Sequence, residues 1–134
     1  MGDITKTALV TGGASGIGEA LARALAAREV SVIIADRQAE QARQVCESIR
    51  QAGGRARAEE LDVRDADRFD EIARGIFERE GRLDYFFNNA GIGIGGEAKK
   101  MTRADWEQII DVNLKGVVHG IEAALPLLRE DEPG

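Results

Sequence analysis

The stretch Thr11-Gly12-Gly13-Ala14-Ser15-Gly16-Ile17-Gly18 has residue types that let a backbone close around an anion. It follows the apolar run Thr7-Ala8-Leu9-Val10-Thr11 and leads into a helical period. Gly12 permits a tight turn off a strand, Gly16 leaves the backbone bare for a ligand, and Gly18 lets a helix lie close to a sheet. A helix starting here turns its free N–H groups and the positive end of its dipole towards a pyrophosphate. The competing reading is a strand–helix turn that binds nothing. No Gly-Lys-Ser/Thr follows, so a P-loop is set aside. Asp36, at the end of the second apolar run, could accept hydrogen bonds from both adenosine ribose hydroxyls of NAD and repel the 2′-phosphate of NADP. Arg37 beside it could instead pair with that phosphate. The carboxylate makes NAD the expected cofactor over NADP; otherwise Asp36 is a surface turn residue.

Three further places carry polar groups of interest. In Asn88-Asn89-Ala90-Gly91 the small residues after Asn89 let the chain pass close to a ligand. Asn113 falls between Ile110 and Val117 on an apolar helical stripe, where a buried amide without partners costs roughly 1–3 kcal/mol; a helix–helix hydrogen bond would satisfy it as well as a ligand would. Asp62 is read either as a ligand contact or as a turn residue leading to Asp65. The single cysteine, Cys46, sits on a packing face and reads as inert core, and the single histidine, His119, as a solvated helix residue. One cysteine and one histidine cannot supply a structural zinc site, so no metal is expected.

The elements that must position these groups alternate. Thr7 to Thr11 is a buried strand, followed by a helix with Ile17, Leu21 and Leu25 on its packing face. Val30 to Ala35 is a continuous apolar run, as in a parallel strand buried on both faces. The next helix carries Ala42, Val45, Cys46 and Ile49 and ends at Gly53-Gly54. Ala56 to Val63 is a weaker strand. Asp65 caps a helix bearing Phe69, Ile72, Ala73, Ile76 and Phe77, closed by Gly81. Leu83 to Phe87 is the fourth strand. After a glycine-rich loop, Thr102 and Asp105 form a capping box for a long helix that runs to about Leu128, with Trp106, Ile110, Asn113 and Val117 on one face. The order βαβαβαβα implies an α/β fold, a doubly wound parallel sheet with helices on both faces.

With these motifs in order, the chain resembles the short-chain dehydrogenase/reductase family. The first turn fits that family's Thr-Gly-x-x-x-Gly-Ile-Gly, and Asp62-Val63, Asn88-Asn89-Ala90-Gly91 and Asn113 in Asp111-Val112-Asn113-Leu114-Lys115-Gly116 follow in sequence. The resemblance implies a Rossmann-like sheet of strand order 3-2-1-4, ending after the fourth strand and its helix. Residues 1–134 would then be the N-terminal part of a single NAD(P)-binding domain. It implies that Gly12, Ser15, Gly16, Ile17 and Gly18 hold the pyrophosphate, that Asp62 and Val63 contact adenine, and that Asn89, Ala90 and Gly91 lie against the ribose and nicotinamide. Asn88 would be structural, and Asn113 would be the asparagine of a catalytic Asn-Ser-Tyr-Lys set. The Tyr-x-x-x-Lys pair is absent, since Tyr85 is the single tyrosine and position 89 is Asn89. The implied function is an NAD(P)-dependent oxidoreductase acting on an alcohol or carbonyl, represented by its cofactor-binding portion and inactive alone. A free-standing binding module or inactive paralogue is the alternative. A different doubly wound domain such as a methyltransferase fits the Asn-Asn-Ala-Gly turn and Asn113 poorly.

Composition is compatible with this. The 134 residues are 43% hydrophobic and 31% charged, with a net charge of −6. An acidic chain without a basic block is poorly suited to nucleic acid or anionic lipid. No apolar run is long enough to span a membrane, and the N-terminus has no basic-then-apolar leader. A cytoplasmic location is expected. A further apolar row on the long helix, Leu114, Val118, Ile121 and Leu125, points to a homo-oligomer, since the resemblance makes this helix a subunit contact.

Overall fold

The computed structural model describes residues 4–130. The reading of the N-terminus at Met1–Asp3 and of the chain end at Asp131–Gly134 lies outside the described residues. Four parallel strands, β1 (Thr7–Thr11), β2 (Ser31–Asp36), β3 (Ala56–Glu60) and β4 (Tyr85–Phe87), form one sheet of order β3-β2-β1-β4. Helices α1 (Gly16–Ala27), α2 (Ala39–Gln51) and α3 (Ala66–Glu80) make the crossovers. Beyond β4 come α4 (Arg103–Ile110), a π-helical segment Asp111–Lys115, and α5 (Gly116–Ala124). The fold is Rossmann-like, as the alternation of elements implies.

Alternate residues of each central strand point to opposite faces of the sheet. Leu9 and Ile33 join Leu61, Phe69, Ile72, Ile76 and Leu83 beneath α3 and α5. Ala8, Val10, Val32 and Ile34 join Ala22, Val45, Cys46 and Ile49 beneath α1 and α2. β1 lies between β2 and β4, with Leu9 paired to both Ile33 and Phe86. This double cover is why β1 and β2 read as unbroken apolar runs. β3 is an outer strand, and its Arg57 and Glu59 suit an edge. Asp65 caps α3 by accepting from the Arg68 backbone N–H, and Gly81 ends it in the left-handed region at φ 73°. Both halves of the Thr102–Asp105 capping box are present.

The structure corrects several sequence expectations. In α1 the buried residues are Gly18, Ala22 and Ala26, while Ile17 is 80% exposed. The reason is proximity: a Cβ on Gly18 would stand 2.3 Å from the Gly12 carbonyl oxygen, so only small residues fit against the sheet. β3 stops at Glu60, and β4 begins at Tyr85. Leu83, ahead of β4, forms a parallel bridge with Leu128, and the Arg129 N–H donates to the Leu83 carbonyl at 2.8 Å. Phe77 faces solvent.

The long helix departs furthest from its expected face. Trp106, Ile110 and Asn113 are exposed, and the buried residues are Val112, Gly116, Gly120, Ala123 and Ala124. The π-helical segment shifts the rotation of the side chains past Ile110, so a 3.6-residue period cannot be carried through it. Beyond it, Gly116 and Gly120 set the packing face. Their Cβ atoms would stand 2.6 Å from Val63 Cγ2 and 2.7 Å from Phe86 Cζ. Leu114, Val118, Ile121 and Leu125 are exposed, as are Trp106 and Ile110.

Among the described residues no helix is long and apolar enough to cross a membrane, and no cluster of His, Cys, Asp and Glu could hold a metal ion.

Candidate functional site

β1 and β4 are neighbours whose connections leave in opposite directions. Such a reversal opens a crevice at the carboxyl ends of the strands. Here the crevice has a volume of about 360 Å³. Its walls include Gly12, Ser15, Ile17, Asp36, Arg37, Asp62, Val63, Asn89, Ala90 and Gly91, all singled out in the sequence. Gly16, Gly18 and Asn113 are not among the residues lining it.

Thr11 joins the two turns at the mouth of β1. It is fully buried, and its hydroxyl oxygen accepts from the backbone N–H groups of Asn89 at 3.0 Å and Ala90 at 3.1 Å. Asn89 returns the contact, its side-chain amide donating to the carbonyls of Thr11 at 3.1 Å and Gly12 at 3.3 Å. Gly12 is at φ 66°, and a Cβ there would meet Ala90 Cα at 2.9 Å. The glycine turn and the Asn-Asn-Ala-Gly turn are thus locked together by residues that leave each other no room. Sequence reading used Thr11 only as part of the turn pattern. Its signal is a hydroxyl at the carboxyl end of a buried strand whose middle is apolar.

The first turn of α1 begins at Gly16, which has φ 56° and open space where a Cβ would be. Ser15 precedes it with no side-chain bond to the helix. The leading N–H groups of a helix have no partner within it, so the turn can receive an anion. At the tip of β2, the Asp36 carboxylate accepts from the Ala14 N–H at 3.1 Å and the Gln38 N–H at 2.9 Å. It therefore ties the glycine turn to β2, with lone pairs left for a ligand. Asp62 is gripped by Arg64, whose Nε donates to Oδ1 at 3.0 Å and whose Nη2 donates to Oδ2 at 2.6 Å. The hydrogen bond from the Arg64 side chain, which outweighs partial burial, holds the Asp62 carboxyl below its usual range.

Asn113 is exposed rather than buried on a stripe. Its amide is nonetheless satisfied. Oδ1 accepts from the Ile92 N–H and Nδ2 donates to the Ile92 carbonyl, both at 2.8 Å. This two-point clamp fixes the chain just past Gly91. Asn88 donates to the Val117 carbonyl at 2.8 Å, tying β4 to α5. His119 is half-buried, and its Nδ1 lies 2.8 Å from the Val63 carbonyl oxygen, so it is not simply solvated. Cys46 is buried, and burial pushes its thiol pKa up, as inert core requires.

Comparison with known proteins adds three kinds of likeness. The family model described as short chain dehydrogenase matches residues 6–134. An uncharacterized oxidoreductase of Listeria innocua is 36% identical over 129 residues, covering 96% of this chain and 52% of the relative. A 3-oxoacyl-[acyl-carrier-protein] reductase of Staphylococcus aureus is 35% identical over 132 residues, covering 98% of this chain and 54% of the relative. The chain thus spans about half the length of these curated relatives. Among solved structures, a metagenomic short-chain oxidoreductase in complex with NADP aligns with TM-score 0.85 at 36% identity, covering 91% of this chain and 56% of the other. A short chain dehydrogenase/reductase from Burkholderia phymatum in complex with NAD aligns with TM-score 0.89 at 29% identity, covering 96% of this chain and 46% of the other.

Proposed function

Because the chain belongs to the short chain dehydrogenase family, we propose that residues 1–134 are the cofactor-binding portion of an NAD(P)-dependent oxidoreductase acting on an alcohol or carbonyl. The observation that carries this reading is the pair of interlocked turns. Thr11, Gly12, Asn89 and Ala90 hold the switch-point crevice in shape without filling it. A nicotinamide dinucleotide fits the groups present. The α1 N-terminus with Ser15 and Ile17 would take the pyrophosphate, Asp36 the adenosine ribose, Asp62 and Val63 the adenine, and Asn89 to Gly91 the nicotinamide side. Such a cofactor supplies or accepts the hydride. The chain's part is to bind it, to orient it across the sheet, and to hold Ile92 in place through Asn113. Asn113 is the residue we assign to the family's catalytic set.

We assign NAD rather than NADP on Asp36. Relatives bind each of the two, so family membership does not decide between them. A carboxylate at the ribose repels a 2′-phosphate, while Arg37 beside it is exposed. Replacing Asp36 with alanine is expected to weaken NAD by about 1–3 kcal/mol, as for the loss of a charge-assisted bond. NADP should be weakened less, because the repulsion goes with the carboxylate. Calorimetric titration with both dinucleotides measures the difference. Tighter binding of NADP by the unmodified protein would overturn the assignment.

We further propose that the protein is a homo-oligomer and works in the cytoplasm. Trp106, Ile110, Leu114, Val118, Ile121 and Leu125 leave a line of large apolar side chains uncovered along α4 and α5. Burying each aliphatic side chain is worth about 1.5–3 kcal/mol. Charged residues in place of both Ile121 and Leu125 are expected to shift the protein to smaller species. Sedimentation velocity across a concentration series reads this directly. A wild-type protein that stays monomeric at high concentration would remove the proposal.

A further inference from the structure

We propose that His119 is a positioning residue for adenine recognition and acts through the Val63 carbonyl. The inference rests on the reading of the crevice as a dinucleotide site.

Val63 lies just past the end of β3 and is 6% exposed, so its backbone groups are outside the sheet ladder and largely removed from water. Buried backbone groups need partners. The Val63 carbonyl has one in His119, at 2.8 Å from Nδ1. A carbonyl only accepts, so Nδ1 carries the proton and donates. One turn earlier on the same helix, the Val63 side chain presses on Gly116, where a Cβ would stand 2.6 Å from Cγ2. α5 therefore grips Val63 by both its side chain and its carbonyl. On the other side, the Leu61 N–H donates to the Asp36 carbonyl at 3.0 Å, and the Asp65 N–H closes a turn onto the Asp62 carbonyl at 2.9 Å. The Asp62–Val63 peptide is thus clamped between the tip of β2 and α5.

The Val63 N–H shows why this clamp serves recognition. Among the described residues it has no hydrogen-bond partner, although Val63 lines the crevice. It is a donor left for a ligand acceptor, next to the Asp62 carboxylate, an acceptor. An adenine edge offers the complement, a ring-nitrogen acceptor beside an amino donor. Hypoxanthine reverses this, with a ring N–H beside a carbonyl oxygen. The match depends on the orientation of one peptide, and His119 holds the far side of the residue that follows it.

The test compares NAD with nicotinamide hypoxanthine dinucleotide by calorimetry, in the protein that carries this chain. The unmodified protein is expected to prefer NAD by about tenfold, the scale of one hydrogen bond made or mismatched. His119→Leu keeps bulk but removes the donor, and should reduce the preference to about twofold. His119→Asn places an amide nitrogen near the Nδ1 position and should restore it. His119→Gln matches Nε2 instead and should not, which keeps the comparison decisive if the leucine variant fails to fold. A merely structural histidine would change affinity for both dinucleotides alike and leave their ratio unmoved. A full tenfold preference in the leucine or glutamine variant overturns the role of His119 alone. Absence of any preference, or of binding, in the unmodified protein overturns the reading of the crevice and this inference with it.

Discussion

Thr11→Val is expected to destabilise the fold by about 1–3 kcal/mol, although the two side chains have nearly the same shape. The Thr11 oxygen serves the N–H groups of both Asn89 and Ala90. Valine fills the space and offers them nothing. The Asn89 N–H keeps its bond to the Phe87 carbonyl at 3.0 Å, but the Ala90 N–H loses its partner; a donor so stranded costs about 1–3 kcal/mol, of which a better-packed methyl recovers only part. Thr11→Ser keeps the oxygen and loses one methylene-sized group, worth about 0.8 kcal/mol. The order of stability should therefore be threonine, serine, valine, with valine last where strand preference and hydrophobicity would put it first. Denaturant unfolding midpoints measure it. The valine variant should also bind dinucleotide more weakly, because Ala90 loses its tie to β1 and the Asn89 side-chain bonds alone hold the two turns together. A valine variant as stable as the parent would show that the two turns do not depend on this hydroxyl.

That residue marks a boundary in what could be read before the structure was known. Alternation of strand and helix was legible because β1 and β2 are buried on both faces and their middles are therefore apolar on both. Helix ends were legible because Asp65, Gly81, Thr102 and Asp105 act on their immediate neighbours. The crevice residues were legible because glycine turns and a carboxylate at a strand tip have local meaning. Packing faces were less so. Apolar periodicity weights large side chains, yet α1 and α5 approach the sheet through glycine and alanine, which permit contact by being small. That is why Ile17 on α1 and Val118 and Ile121 on α5 stand in solvent. The π-helical segment was hidden because nothing in Asp111–Lys115 marks a change of pitch. The partnerships of Thr11 with Asn89, Asn113 with Ile92, and His119 with Val63 join residues far apart in the chain, and no spacing rule reports them.

These contacts also show what the helix after β4 does for the crevice. Asn113 fixes Ile92 at one wall, and His119 with Gly116 fixes Val63 at another. Asn88 ties the end of β4 to the same helix through the Val117 carbonyl. The π-helical segment stands between α4 and α5, and Val112 within it lines the crevice. The opposite side of these helices carries the uncovered apolar row. A partner docking on that row would press on the element that holds Ile92 and Val63 in the crevice wall.

The second large effect expected is an absence of turnover by these 134 residues alone. Moving hydride between an alcohol and a dinucleotide requires a proton to leave or reach the substrate oxygen, and a positioned general acid or base contributes about 10²–10⁴-fold. The crevice offers none suited to this. Asp62 is held ionised by Arg64, and Asp36 stands at the tip of β2, where the proposed function places the adenosine ribose and not the substrate. Asn113 is an amide with both ends on Ile92. Tyr85 is the single tyrosine, and its hydroxyl accepts from Lys6 Nζ at 3.1 Å, near the start of β1 rather than at the carboxyl ends of the strands where the crevice opens. A donor poised at the substrate oxygen would add about 10²–10³ more, and Ser15, the serine on the crevice wall, belongs to the glycine turn. The purified chain is therefore expected to bind dinucleotide weakly and to leave the absorbance of reduced cofactor unchanged with a panel of alcohols and ketones. A longer polypeptide that adds a Tyr-x-x-x-Lys pair should turn over. Steady turnover by the 134 residues that survives removal of host dehydrogenases, and disappears in Asp36→Ala or Asn113→Ala, would show that the crevice performs proton transfer through groups assigned here only to binding and support.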